Sequence, residues 1–317
     1  MEPRILITGA SGFVGRAMVA RAASQGIATR GVSRSPLKPV TGVDLCHIGE
    51  IGSDTDWSLA LRDIDVVVHL AARVHVMNDR SKNPLAEFRS VNVDGTLNLA
   101  RQAAAAGASR FVFLSSVKVN GEVTQPGQAF TEDMQPDPQD AYAVSKFEAE
   151  MGLLALARRG EIDVVIVRPP LVYGPNVKAN FAALFQSVQR SRYLPLGALD
   201  NRRSLVGLDN LVDLVLICVT HPQAVNQIFL ISDGQDLTTS ELVRSMARAA
   251  GVPARLVPVP VWVLQAVAAF LGKTDAVKRL CGSLQVDITK ARELLGWRPR
   301  ISVDEGMRRV VSGNQPI

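Results

Sequence analysis

Residues 4 to 26, RILITGASGFVGRAMVARAASQG, pass from a short apolar stretch through three evenly spaced glycines into a pattern of helical period. This segment restricts the possible folds more than any other. Gly9, Gly12 and Gly15 let the backbone turn sharply and approach a bound pyrophosphate, and the helix that follows aims unpaired N–H groups and a partial positive charge at the same point. Strand, glycine turn and helix is the context that a dinucleotide-binding turn requires.

The rest of the first half repeats the alternation. ATRGVS, DVVVHLAA, RFVFLSS and DVVIVRPP read as strands, separated by a long helical stretch after Pro84 and by a helix that carries Tyr142. Strands alternating with helices predict an α/β fold with a doubly wound parallel sheet and right-handed crossovers. The nearly continuous apolar runs agree, because such a sheet is covered on both faces. Its ligands bind beyond the carboxyl ends of the strands, where Gly9, Ala71, Ser115 and Ser116 fall. The expected organisation is a dinucleotide-binding unit over residues 1–172, rejoined by 204–233, with a smaller lobe from 173–203 and 234–317. NQIFLIS is expected to pack back on the sheet, and TKARELLGWRPRISVDEGMRRVV to form two helices joined by a turn that Trp297 anchors.

At the end of the second strand, an NAD-selecting turn carries an acidic residue for the ribose hydroxyls. Here the chain reads GVSRSP. Ser33 and Arg34 offer a hydroxyl and a fixed cation, which suit a 2′-phosphate. NADP(H) is therefore expected ahead of NAD(H).

In YAVSK, Tyr142 and Lys146 lie four residues apart where a helix begins, so their side chains share one face. Alone, this spacing fits an ordinary amphipathic helix.

Composition excludes several classes. Apolar residues make up 47% and charged residues 21% of the 317, with no low-complexity tract, so the chain is globular. The net charge of +5 is diffuse and lacks interleaved aromatics or a basic stripe, which argues against a nucleic-acid partner. Cys46, Cys218 and Cys281 are scattered without disulfide or metal spacing, and the four histidines show no ligand pattern, so no metal is expected. A reducing cytoplasm is the expected location. The most membrane-like stretch, VPVPVWVLQAVAAFLGK from Val257, is too short to span a bilayer and reads as a buried or interfacial helix.

With T-G-A-S-G-F-V-G at 8–15, H-L-A-A at 69–72, V-N-V-D-G-T at 91–96, S-S at 115–116 and Y-A-V-S-K at 142–146, the chain resembles the extended short-chain dehydrogenase/reductases. Among these it is most similar to the NAD-dependent epimerase/dehydratase family acting on nucleotide sugars. The likeness continues through RPPLVYGPN, NRRSLVGLDNL and ITKARELLGWRP.

The resemblance implies that Tyr142 exchanges a proton with the sugar, Lys146 also binds the nicotinamide ribose, and Ser116 holds the same sugar oxygen. A phenol with an ordinary pKa of ~10 is a poor base at neutral pH. The Lys146 cation and an oxidised nicotinamide both favour the phenolate, so an acidified Tyr142 is expected. Around the cofactor the resemblance implies Phe13 and Val14 within the glycine turn, Glu50 and Ile51 near the adenine, and Leu70, Ala71 and Ala72 beside the dinucleotide. It adds Ser115 at its strand end, with Pro169 and Val172 beyond the next strand. For the substrate it implies Asn180, Pro195 and Leu196 at the base and ribose, and Arg203 at the diphosphate, with Lys278 or Arg279 as a second anchor. Asn92 is expected to organise backbone, and His69 to pack. A homodimer through the helices after DVVVHLAA and RFVFLSS is implied by the same analogy.

Family dehydratases follow the catalytic Ser/Thr with an Asp-Glu pair; Val117 and Lys118 stand here, which argues against 4,6-dehydration. The favoured reaction is reduction of a 4-keto nucleotide sugar, because Ser33 and Arg34 fit NADPH, the usual exchangeable reductant. The alternative is a 4-epimerase of a UDP-hexose or UDP-N-acetylhexosamine. A non-catalytic dinucleotide-binding regulator is the third reading; loss of the serine, tyrosine or lysine would mark it, and all three are present.

Overall fold

Alternate residues of four central strands point to opposite faces of one sheet, and both faces are buried. The computed structural model describes residues 3–35, 38–74, 83–270, 272 and 274–313. The strands β1 (Ile5–Thr8), β2 (Thr29–Ser33), β3 (Val43–His47), β4 (Val66–His69), β5 (Arg110–Leu114), β6 (Asp163–Arg168) and β9 (Ile228–Leu230) form a parallel sheet in the order β3-β2-β1-β4-β5-β6-β9. Ile5, Ile7, Val66, Val68, Val112, Val165 and Val167 join the core on one face; Leu6, Val67, Phe111, Phe113, Val164 and Ile166 join that on the other. The period-two alternation of strand side chains produces this division. β3 is the exception among the expected elements, because its half-exposed VDLCH has no continuous apolar run to announce it.

Helix α1 (Phe13–Ser24) covers the first face together with α6 (Leu208–Thr220) and α10 (Thr289–Leu295). The second face carries α3 (Thr96–Ala105), α4 (Ala141–Arg158) and the buried Trp57, with α2 (Pro84–Arg89) leading through a π-helical turn into α3. Strands β7 (Leu171–Tyr173) and β8 (Leu205–Gly207) pair in a separate parallel ribbon. A third core joins α5 (Ala179–Gln189), α7 (Thr239–Ala250) and α11 (Val303–Ser312) around Tyr173, with α8 (Val261–Phe270) and α9 (Thr274–Cys281) completing that lobe. Trp297 sits between α10 and α11, 2% exposed, and donates its indole N–H to Asp213 at 3.0 Å. Among the described residues no helix is long and apolar enough to cross a membrane.

Candidate active site

The sheet order reverses beside β1, where β2 leaves to one side and β4 to the other, and this places a crevice beyond their carboxyl ends. A cavity of about 850 Å³ opens there. Gly9 follows β1 with a left-handed φ of +66°, and a Cβ on it would lie 2.9 Å from the Ala71 nitrogen. The turn therefore presses against the chain leaving β4. The Thr8 hydroxyl oxygen accepts from the Leu70 and Ala71 N–H groups at 3.2 Å each, fixing that approach. A Cβ on Gly15 would come within 2.0 Å of the Gly9 carbonyl oxygen.

Gly12 caps α1 without any side-chain hydrogen bond, and the first turn carries no acidic residue. Its N–H groups are thus directed at the cavity with nothing negative to compensate them. This glycine cradle fits a dinucleotide pyrophosphate on the geometry of the turn itself.

Phe13, Val14, Ser33, Arg34, Glu50, Ile51, Leu70, Ala71, Ala72, Ser115, Pro169 and Val172 line the same cavity as Gly9, Gly12 and Gly15. Ser116, Tyr142 and Lys146 line it too. Residues from seven separate stretches of sequence thus meet in one space. The cavity also takes in Arg73, Glu87 and Val91, which sequence reasoning left out. Arg73 directly follows the H-L-A-A motif, so its position was the available signal. Its guanidinium lies 3.7 Å from Glu87 and 5.7 Å from the centre of the Phe88 ring, which meets Tyr142 edge-on at 6.1 Å.

Asn92 accepts from the Arg73 N–H at 2.8 Å and donates to the Arg73 carbonyl and the Ser145 hydroxyl at 3.0 Å each. It thereby ties the loop after β4 to α4. His69 is buried between Thr8 and Thr96 and stacks on Phe113. Burial, with Lys146 adding to it, lowers its pKa to about 3, so it stays neutral.

Asp140 caps α4 by accepting from the Ala143 N–H at 2.8 Å, which starts the helix at Ala141, one residue before Tyr142. Lys146 follows one turn later, 2% exposed, with its ammonium donating to the Leu114 carbonyl at 2.7 Å and standing 4.2 Å above the Phe113 ring. Burial brings its pKa down to about 7, with Glu150 opposing the change.

The acidification expected of Tyr142 rests on two charges, the Lys146 ammonium and an oxidised nicotinamide, and the protein's own groups do not supply it. Burial holds the phenol well above its ordinary range, and the Asp140 carboxylate reinforces the effect. The lysine is turned to Leu114 and Phe113, and its own burial weakens the charge it can offer.

Behind the cavity lies a buried ion pair. Arg168 holds Glu150 in a fork, with nitrogen–oxygen distances of 3.0 and 2.5 Å, and also donates to Asn120 at 3.0 Å. The Ser115 hydroxyl donates to the same Glu150 carboxylate. Glu150 continues the line of Tyr142 and Lys146 at four-residue spacing, so one face of α4 serves both the cavity and this support.

Apart from Ser116, the expected substrate positions do not line this cavity. Asn180, at the start of α5, and Pro195 are exposed elsewhere on the C-terminal lobe. Leu196 is corrected as a contact residue: its side chain is 5% exposed and packs in the lobe's core, where an apolar group gains more than at a polar ligand. Arg203 donates to the Gly282 carbonyl at 3.1 Å instead of facing the cavity. The side chains of Lys278 and Arg279, on α9, lie outside the described residues.

Residues 5–232 match the family described as the NAD dependent epimerase/dehydratase family. The chain is 45% identical over 312 residues to a UDP-glucose 4-epimerase of Vibrio cholerae, covering 97% of this chain and 94% of that protein. It is 28% identical over 325 residues to a GDP-6-deoxy-D-mannose reductase of Pseudomonas aeruginosa, covering 98% and 97%. Among solved structures, a UDP-glucose 4-epimerase of Thermotoga maritima with UDP-glucose superposes with a TM-score of 0.76 at 24% identity, covering 98% of each chain. The glycine cradle, the crevice at the sheet reversal and the Tyr142–Lys146 helix all fall within the matched residues, and the chain belongs to the NAD dependent epimerase/dehydratase family.

Proposed function

We propose that the protein is an NAD(P)-dependent 4-epimerase of a UDP-linked hexose or N-acetylhexosamine. The observation that carries this reading is the meeting of Ser116, Tyr142 and Lys146 in the cavity that also holds the Gly9–Gly15 cradle. The higher identity to a UDP-glucose 4-epimerase than to a GDP-6-deoxy-D-mannose reductase, 45% against 28%, supports epimerisation ahead of net reduction.

When bound, the nicotinamide accepts and returns the hydride at the sugar C4 and, oxidised, adds a positive charge beside the phenol. With its phenol ionised beside that charge, Tyr142 would take the C4 hydroxyl proton as the carbonyl forms and give it back as the hydroxyl is restored. Ser116 accepts from the Lys118 N–H at 3.2 Å, which leaves its own O–H to donate to the sugar oxygen. Lys146, held at the end of β5 by the Leu114 carbonyl, is positioned for the nicotinamide ribose. Dehydration is disfavoured: Val117 carries no proton to transfer, and the Lys118 ammonium is paired with Asp140.

Two observations favour a second reading, NADPH-dependent reduction of a 4-keto sugar. Ser33 and Arg34 both line the cavity where a 2′-phosphate would sit. A phenol kept neutral by burial is also suited to donating a proton to a ketone.

The test is product analysis with UDP-glucose, UDP-N-acetylglucosamine and a 4-keto-6-deoxy nucleotide sugar while nicotinamide absorbance is followed. Inversion at C4 without net cofactor change is the expected result, and stoichiometric NADPH consumption would establish the second reading. Tyr142→Phe should lower turnover ~10²–10⁴-fold while cofactor affinity stays near wild type. Cofactor binding without turnover of any of the three sugars would leave the regulator reading.

A further inference from the structure

Helix α8, VWVLQAVAAF, contains no charged residue. Val261 and Leu264 pack against the lobe's core, and Ala268 is buried. The opposite face is open: Trp262 is 70% exposed, Val267 52% and Phe270 91%. An ordinary surface helix sets charged and polar side chains there. Neighbouring chain extends the apolar surface. Leu194 and Leu256 pair in a bridge, beside which Tyr193 is 70% and Val257 39% exposed.

The rim of this surface is basic. From Lys178 to Leu199 the charged residues are Lys178, Arg190 and Arg192, the first acidic residue after Leu194 is Asp200, and from Gly251 to Phe270 the one charged residue is Arg255. All four are exposed, and among the described residues none of them forms an ion pair. The Arg255 guanidinium stands 5.1 Å above the Tyr193 ring. The adjoining α9 carries Lys278 and Arg279 against Asp275 in its sequence.

An apolar helix presenting tryptophan and phenylalanine beside unpaired cations matches a bilayer interface, with aromatic rings at headgroup depth and cations at lipid phosphates. A second copy is the poorer occupant. A twofold dimer through this face would bring the same cations together, because the patch must meet itself. Ten residues of helix reach only ~15 Å, half of a hydrocarbon core, so the contact lies on the membrane surface. We propose that this face of the C-terminal lobe docks reversibly on anionic lipid, with Trp262 and Phe270 inserted and Arg192 and Arg255 at the headgroups. The proposal is independent of the reaction assigned above.

The chain reports on itself. It has three tryptophans, and Trp57 and Trp297 are 0% and 2% exposed, so a change in emission on docking comes from Trp262. The experiment mixes the full chain with vesicles of phosphatidylglycerol and phosphatidylcholine, or of phosphatidylcholine alone, and follows co-sedimentation and tryptophan emission. Expected are binding and a blue shift on the anionic vesicles, both weakened by salt. Arg192→Glu/Arg255→Glu should weaken binding at least tenfold, from about fivefold per lost cation. Phe270→Ser, at a side chain with almost no packing, should weaken it with the fold unchanged by circular dichroism. Equal binding to both vesicles, no binding at millimolar lipid, or variants that bind like wild type would overturn the proposal. So would a dimer in sedimentation equilibrium that Phe270→Ser dissociates, since the face would then belong to a second copy.

Discussion

Gly15→Ala tests the cradle most directly. The added Cβ would lie 2.0 Å from the Gly9 carbonyl oxygen, 2.7 Å from its carbon and 2.9 Å from the Ala10 Cα. Side-chain carbons essentially never come closer than 3.0 Å to such atoms, and all three are backbone, so the start of α1 must retreat by about 1 Å. An N–H···O contact of ~2.9 Å to a phosphate would then open to ~3.9 Å, beyond hydrogen-bonding range. Hydrogen bonds to charged groups contribute ~1.5–3 kcal/mol each, so losing two raises Kd for NAD(P)H by roughly 10²–10⁴-fold. Calorimetric titration with NADH and NADPH reads this directly. Gly26→Ala is the control: Gly26 has φ +74° with nothing within 4 Å of a Cβ, so the change costs about 1 kcal/mol of stability and leaves affinity alone. Folded Gly15→Ala protein that binds within about threefold of wild type would refute the close-packed turn as the cofactor's seat.

Two further outcomes follow from buried charge. Glu150→Gln leaves Arg168, whose side chain is 3% exposed, without its counter-charge, and should cost ~3–5 kcal/mol in urea titrations. A loss below about 1 kcal/mol would mean that the pair does not hold β5, β6 and α4 together. Burial holds the folded pKa of His69 at about 3, against an ordinary value of 6.5, so the unfolded chain binds more protons between these values. Its contribution is complete above pH ~6.5 and is lost as pH falls through ~3, at up to ~1.4 kcal/mol per pH unit. The slope of stability against pH should flatten by that amount in His69→Gln, and an unchanged slope would count against a neutral buried imidazole.

Much of the fold could be read from local pattern. The glycine turn, the apolar strands and the one-face spacing of Tyr142 and Lys146 depend on backbone geometry over a few residues, which sequence spacing reports. The edge strand β3 escaped because its burial is partial and its residues mixed. Arg73 escaped because nothing in its neighbours says which way it turns. Leu196 and Arg203 followed motif positions, but core packing and the Gly282 carbonyl claim their side chains.

The sequence by itself determined which chemical groups the chain owns and the intervals at which they recur. Tertiary structure decided their state. Tyr142 is held neutral because the fold buries it next to Asp140, and Lys146 is brought to about 7 because the fold seats it over Phe113 and removes water. The Ser115–Glu150–Arg168–Asn120 network joins segments up to 53 residues apart in number. Periodicity follows from bonds along the chain, whereas desolvation and Coulomb forces follow from distances through space, and only the folded chain sets those.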